Sequence, residues 1–192
     1  MRASRLMPAA LGVLLLAGAA IAATPTVPAL DFRLVDPQGR THALAGFPPD
    51  QVLAIYFGYT TCLRACPVAL DNIAAALAGL GPQAASVQPV FVDLDPERMD
   101  PVNLAMYMES FGPRFLGLTG SPQAVAEAVS SFKVQVERLQ LGADPTDYAM
   151  THLSPIFVMR PGDREPRTLP ATSPADAIEA ALRAALGTGP PG

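Results

Sequence analysis

The stretch VLAIYFGYTTCLRACPVAL, residues 52–70, decides the fold: a strand, a sharp turn and the start of a helix follow one another within it. Val52 to Phe57 is an unbroken apolar run, the composition of a strand covered on both faces. Gly58 and Tyr59 then lead into Cys62 and Cys66, the two cysteines of the chain. Downstream, apolar residues at 66, 70, 73, 77 and 80 keep helical spacing, and Pro67 suits a first helical turn. The cysteine pair thus stands at the carboxyl end of a central strand, where open α/β sheets place a ligand or redox site.

Working outward, Leu30–Val35 and Thr41–Leu44 flank the turn Asp36-Pro37-Gln38-Gly39 and read as a β-hairpin. Val87–Leu94 is a second buried strand with a ragged start at Pro89. A helix follows over 101–111 with Asp100 as its cap, then a short strand at Phe115–Leu118. Ser121 caps a helix to Phe132 with Pro122 at its first position. Val134–Leu139 alternates like a strand, Leu141–Thr146 reads as a loop, and Ile156–Met159 as a late buried strand. A helix over 174–186 closes the domain. The order predicts an α/β thioredoxin-like fold over residues 30–187, a central mixed sheet flanked by helices with an N-terminal hairpin added.

Arg2 and Arg5 precede an apolar run ending in Ala20-Ile21-Ala22, the pattern of a secretory signal peptide over residues 1–22. The expectation is export to a periplasm, with an uncleaved membrane anchor as the alternative. Residues 23–29 read as an extended entry and 188–192 as a frayed tail. A net charge of −4, with scattered acidic residues, excludes the basic surface that nucleic acid requires. A monomer is the default for this fold.

Three roles compete for the cysteines. In an exported chain two cysteines ordinarily form one disulfide. A bridge closing so short a loop restricts the unfolded chain little, so a purely structural staple has a weak physical motive. At i and i+4 on a helix the Cβ atoms lie about 5–6 Å apart, near enough for a bridge after adjustment or for gripping one metal ion. A helix N-terminus and Arg64 between the cysteines both favour thiolate. A third donor separates a metal site from a redox pair. His42, in the hairpin, reads as a solvated strand residue. His152 precedes the late strand, in the loop that faces the cysteine turn in a thioredoxin-like fold. Two thiolates and an imidazole suit Cu(I) or Zn(II) and leave a coordination position open.

Four segments in register resemble the Sco (SenC) copper chaperones of cytochrome c oxidase assembly. FGYTTCLRACP at 57–67 resembles that family's FGYTxCxxxCP, and VDLDPERMD at 92–100 its VDPxRD. FLGLTGS at 115–121 resembles its FxGLTG, and YAMTHLS at 148–154 its YxVDHSS. The resemblance implies Cys62, Cys66 and His152 as ligands of Cu(I) or Cu(II). It also implies delivery of copper to cytochrome c oxidase subunit II, or reduction of that subunit's cysteines. Two departures stand out: Leu63-Arg64 replaces the family's Pro-Asp, and Thr151 replaces the Asp before the histidine. Both remove a carboxylate, which points toward Cu(I) handling or thiol chemistry over tight Cu(II) storage.

Arg64, Asp95 and Met150 are candidates for tuning the site from just outside it. Asp93 and Asp100 read more simply as loop and cap residues, and Met106 and Met108 as helix packing. The competing function is a thiol–disulfide oxidoreductase in which Cys62 attacks and Cys66 resolves, with Pro155 in the place of a thioredoxin cis-proline. A thiol peroxidase is a third reading, without a clear peroxidatic context around Cys62.

Overall fold

The computed structural model describes residues 30–62 and 64–187. The expected signal peptide, entry segment and tail lie outside the described residues. The described residues form nine strands and four α-helices. β1 (Arg33–Val35) and β2 (Thr41–Ala43) make the N-terminal hairpin. The main sheet holds β3 (Val52–Gly58), β4 (Val87–Asp93), β5 (Leu116–Leu118), β8 (Ile156–Met159) and β9 (Arg167–Leu169) in the order β5-β4-β3-β8-β9. β3, β4 and β5 run parallel, while β8 and β9 are antiparallel to their neighbours. β6 (Gln135–Gln140) and β7 (Tyr148–Leu153) form a separate two-stranded sheet.

β3 is buried along its whole length because both faces are covered. Val52, Ala54 and Tyr56 pack with α1 (Ala65–Leu80) and α4 (Ala175–Gly187), and α2 (Pro101–Glu109) joins that face through Leu104 and Met108. Leu53, Ile55 and Phe57 point the other way, toward Val125 and Phe132 of α3 (Pro122–Phe132) and Phe32 near the hairpin. Side chains of a strand alternate between faces, so this one run seeds both halves of the core. The arrangement is the expected thioredoxin-like α/β sandwich.

The helix caps follow their chemistry. Asp100 accepts the amides of Val102 and Asn103, Ser121 accepts that of Ala124, and both helices begin with proline. Pro89 sits inside β4, which starts at Val87 as expected. It is tolerated because β5 pairs with β4 only from Val90 onward, leaving Pro89 an open side. His42 is not a solvated strand residue: its Nε2 lies 2.9 Å from the buried Asp36 carboxylate, and its ring stacks on Phe47. Met106 does not pack but is exposed on α2, whereas Met108 is buried. The described residues contain no cis peptide bond, so Pro155 does not reproduce a cis-proline.

Candidate metal centre

β3 ends at Gly58 and the chain turns, with the Cys62 amide donating to the Tyr59 carbonyl at 3.1 Å. α1 begins at Ala65, two residues earlier than the spacing predicts, so Cys62 precedes the helix and Cys66 lies in its first turn. Both are free thiols; Cys62 is half-buried and Cys66 fully buried. The Cys66 amide points at Cys62 Sγ at 3.5 Å, and His152 Nε2 reaches Cys66 Sγ at 3.5 Å. One donor atom from each of Cys62, Cys66 and His152 falls within 4.8 Å of the others.

The two sulfurs differ sharply. Burial alone works against a charged Cys62, but hydrogen bonds from the Cys66 thiol and the backbone amides of Cys66, Arg64 and Ala65 bring its pKa below the ordinary value. Burial pushes the Cys66 thiol up to about 12, helped by its contact with Cys62. Burial also lowers His152, so its imidazole is neutral and carries a free lone pair at neutral pH. Nδ1 of that ring is buried with no hydrogen-bond partner among the described residues, and Nε2 faces sulfur. Two soft sulfurs and an imidazole with no other commitment fit a soft metal ion.

Residues that the sequence reading missed frame these donors. The rings of Tyr56 and Tyr59 meet His152 edge-on, with centroids 6.1 and 5.6 Å away. The Tyr56 hydroxyl points at Cys66 Sγ at 3.8 Å, and that of Tyr59 donates to the Met150 carbonyl at 2.9 Å. Both tyrosines belong to the YFGYT run, so their place beside the cysteines was the available signal.

The three candidates for tuning the site are held in three different ways. The Arg64 side chain is exposed, and it is the backbone amide of Arg64 that supports the Cys62 thiolate. The Met150 thioether packs in the apolar cluster on the α3 face, while its carbonyl takes the Tyr59 hydroxyl. Asp95 is buried in an ion pair with Arg98 at 2.7 Å and also accepts the Tyr148 hydroxyl.

Gly58 explains why the turn is so close. A Cβ there would lie 3.0 Å from Cys66 Sγ and 2.9 Å from the Phe91 ring. Gly58→Ala is therefore expected to destabilise the fold by roughly 1–3 kcal/mol through overpacking. The check is the urea midpoint of the reduced protein. An unchanged midpoint would show that sulfur and ring can step aside.

Comparison with known proteins agrees with this geometry. The SCO1/SenC family model matches residues 23–187. The human mitochondrial SCO2 homolog is 39% identical over 133 residues, covering 68% of this chain and 49% of that protein. The chain thus spans about half the length of that relative. Among solved structures, apo Sco1 from Thermus thermophilus is 36% identical with a TM-score of 0.72, covering 81% of this chain and 90% of that one. Bradyrhizobium japonicum ScoI, solved with copper bound, is 31% identical with a TM-score of 0.65, covering 80% and 96%.

Proposed function

The chain belongs to the SCO1/SenC family, and from that premise we propose that it is an exported copper chaperone holding its cargo through Cys62, Cys66 and His152. The observation that carries this reading is the approach of their three donor atoms to within 4.8 Å of one another. Two thiolates satisfy Cu(I), and the imidazole completes a three-donor grip that leaves one position for an incoming ligand. Cys62 is the half-buried donor, so a client's sulfur enters beside it and displaces the protein's ligands in turn. The client is a copper site of cytochrome c oxidase, and the reading places transfer at the dinuclear centre of subunit II. The protein acts as a monomer in the periplasm, either free or held by its N-terminal segment. Thr151 is exposed in the position of the family's aspartate, so no carboxylate next to His152 raises its basicity. That favours Cu(I) over Cu(II).

The unequal cysteines support a second activity on the same pair. Cys62 thiolate attacks a client disulfide and forms a mixed disulfide, releasing one client thiolate. Cys66 then attacks Cys62 Sγ, the second client thiolate leaves, and two electrons have passed from the pair to the client. Copper loads only while the pair is reduced, so the two activities alternate.

The deciding experiment is a Cu(I) titration of the reduced domain against a competing chelator, with His152→Ala alongside, repeated with Cu(II). One equivalent should bind, weakened about tenfold or more in the variant, a size comparable to losing a supporting group of a metal site. Exchange with a small disulfide should stay within about twofold, because Cys62 is the attacking sulfur and the imidazole touches Cys66 instead. Copper binding indifferent to His152 would remove the three-donor site and leave the redox couple. Cu(II) held as tightly as by relatives with both aspartates would remove the Cu(I) preference.

A further inference from the structure

His152 reaches the cysteines from outside the main sheet. Among the described residues its strand, β7, pairs only with β6, so the ladder of the five-stranded sheet does not fix its position. β7 is anchored at its first residue, Tyr148, which is buried. The Tyr148 hydroxyl donates to Asp95 in the loop after β4, and Asp95 is ion-paired with Arg98 at 2.7 Å. Arg98 also donates to the Tyr148 carbonyl at 2.9 Å. Its guanidinium carbon lies 3.7 Å from the centre of the Tyr148 ring, and that of Arg138 lies 3.4 Å from it. Two guanidiniums so close to one ring take opposite faces, so the ring is sandwiched between cations. Arg138 in turn is ion-paired with Glu97 of the same loop.

Tyr148 and His152 are four residues apart on one strand, so their side chains share a face. Fixing the rotation and register of β7 at Tyr148 therefore sets where the imidazole points. Burial holds the Tyr148 phenol at about 12, so it remains a donor to Asp95 across the neutral range.

We propose that Asp95, Arg98 and Tyr148 form a clamp that positions His152 over the cysteine pair. The β4–α2 loop thereby governs whether the third donor is in place, although none of its residues is a donor. This inference rests on the reading of Cys62, Cys66 and His152 as one metal site. Asp95 is then a positioning residue acting through Tyr148, which accounts for its burial in an ion pair.

The test compares Tyr148→Phe, which deletes only the hydroxyl, with Arg98→Lys, which keeps the charge and loses the fork. In the metal-free protein, amide exchange in β7 should accelerate about tenfold while β3 and β4 stay protected. Cu(I) affinity against a chelator should fall about tenfold. The double variant Tyr148→Phe/His152→Ala should bind no more weakly than His152→Ala alone, because both changes remove the same donor. If His152→Ala leaves Cu(I) binding intact, the three-donor reading falls, and the clamp with it. If His152→Ala weakens binding but Tyr148→Phe does not, or the two losses add, the clamp alone is overturned. Should Tyr148→Phe fail to fold, Arg98→Lys carries the same readouts.

Discussion

Iodoacetamide at neutral pH is expected to label Cys62 of the reduced protein about a hundred times faster than Cys66. Hydrogen bonds bring Cys62 below the ordinary value of 9, while burial takes Cys66 to about 12. With Cys66 at about 12 and Cys62 below its ordinary value, the thiolate of Cys62 is more populated by at least roughly a thousandfold. A less basic thiolate is also a weaker nucleophile, which returns all but about thirtyfold of that advantage. Access supplies the remainder, since Cys62 is half-buried and Cys66 sits at 0% exposure. Arg64 lies between the two, so tryptic peptides separate them and mass spectrometry reads both rates from one time course. Equal rates, or a faster Cys66, would falsify the assignment of Cys62 as the attacking sulfur.

The asymmetry bears on copper as well as on electrons. A metal ion that engages both sulfurs has to displace the proton of Cys66, whereas Cys62 is the more readily ionised partner. Loading and client attack therefore both begin at Cys62. Cys66 is the sulfur packed against Gly58 and touched by the Tyr56 hydroxyl and His152, so it is the fixed member of the pair.

How far the sequence reveals this site depends on whether a signal is local. β3 and α1 are legible because an apolar run and a helical stripe are complete within themselves, and Asp100 and Ser121 cap where their side chains allow. His152 was legible as a partner of the cysteines, but Tyr148–Leu153 as a strand was not. That segment mixes buried and exposed residues, and its strand character comes from pairing with Gln135–Gln140. β9 is three mostly exposed residues on a sheet edge, too short to show a period. Asp95 was legible as a carboxylate just outside the site, but the way it is held was not. Its actual partners, Arg98 and Tyr148, are three and fifty-three residues away, the second reached only through the fold. Arg64 shows the reverse case, where a charged side chain drew the reading and the backbone amide does the work.

Asp93→Asn should stabilise the protein by a few kcal/mol at pH 8 and change little below pH 4. Asp93 ends β4 opposite Gly58 and is fully buried. Its Oδ2 accepts the Asp95 amide at 3.2 Å and the Thr119 hydroxyl at 3.4 Å, but Oδ1 has no partner among the described residues. Burial, and then the neighbouring Asp95 charge, raise its carboxyl to about 7 from an ordinary 3.8. A raised acid keeps its proton when folded after the unfolded chain has given it up. Stability therefore falls as pH rises from about 4 to 7, and above 7 the ionised group costs about 4 kcal/mol, at 1.36 kcal/mol per unit. That is a large share of the 5–15 kcal/mol that ordinarily holds a domain together. Asparagine has the same shape without the charge, so the difference between variant and wild type should open across that window and then stay level. The difference is the proper readout because His152, lowered by burial, tilts the wild-type curve the other way below its ordinary 6.5. Asp36, held down at about 2 by His42 and Arg40 against its burial, enters only in stronger acid. Unfolding midpoints from pH 4 to 8 decide it: parallel curves would mean that Asp93 is ionised at no stability cost, with water or a cation meeting its bare oxygen. A gap that opens as expected would make Asp93 a standing strain one strand away from the cysteine turn. Such strain is retained where a fold trades stability for the site it carries.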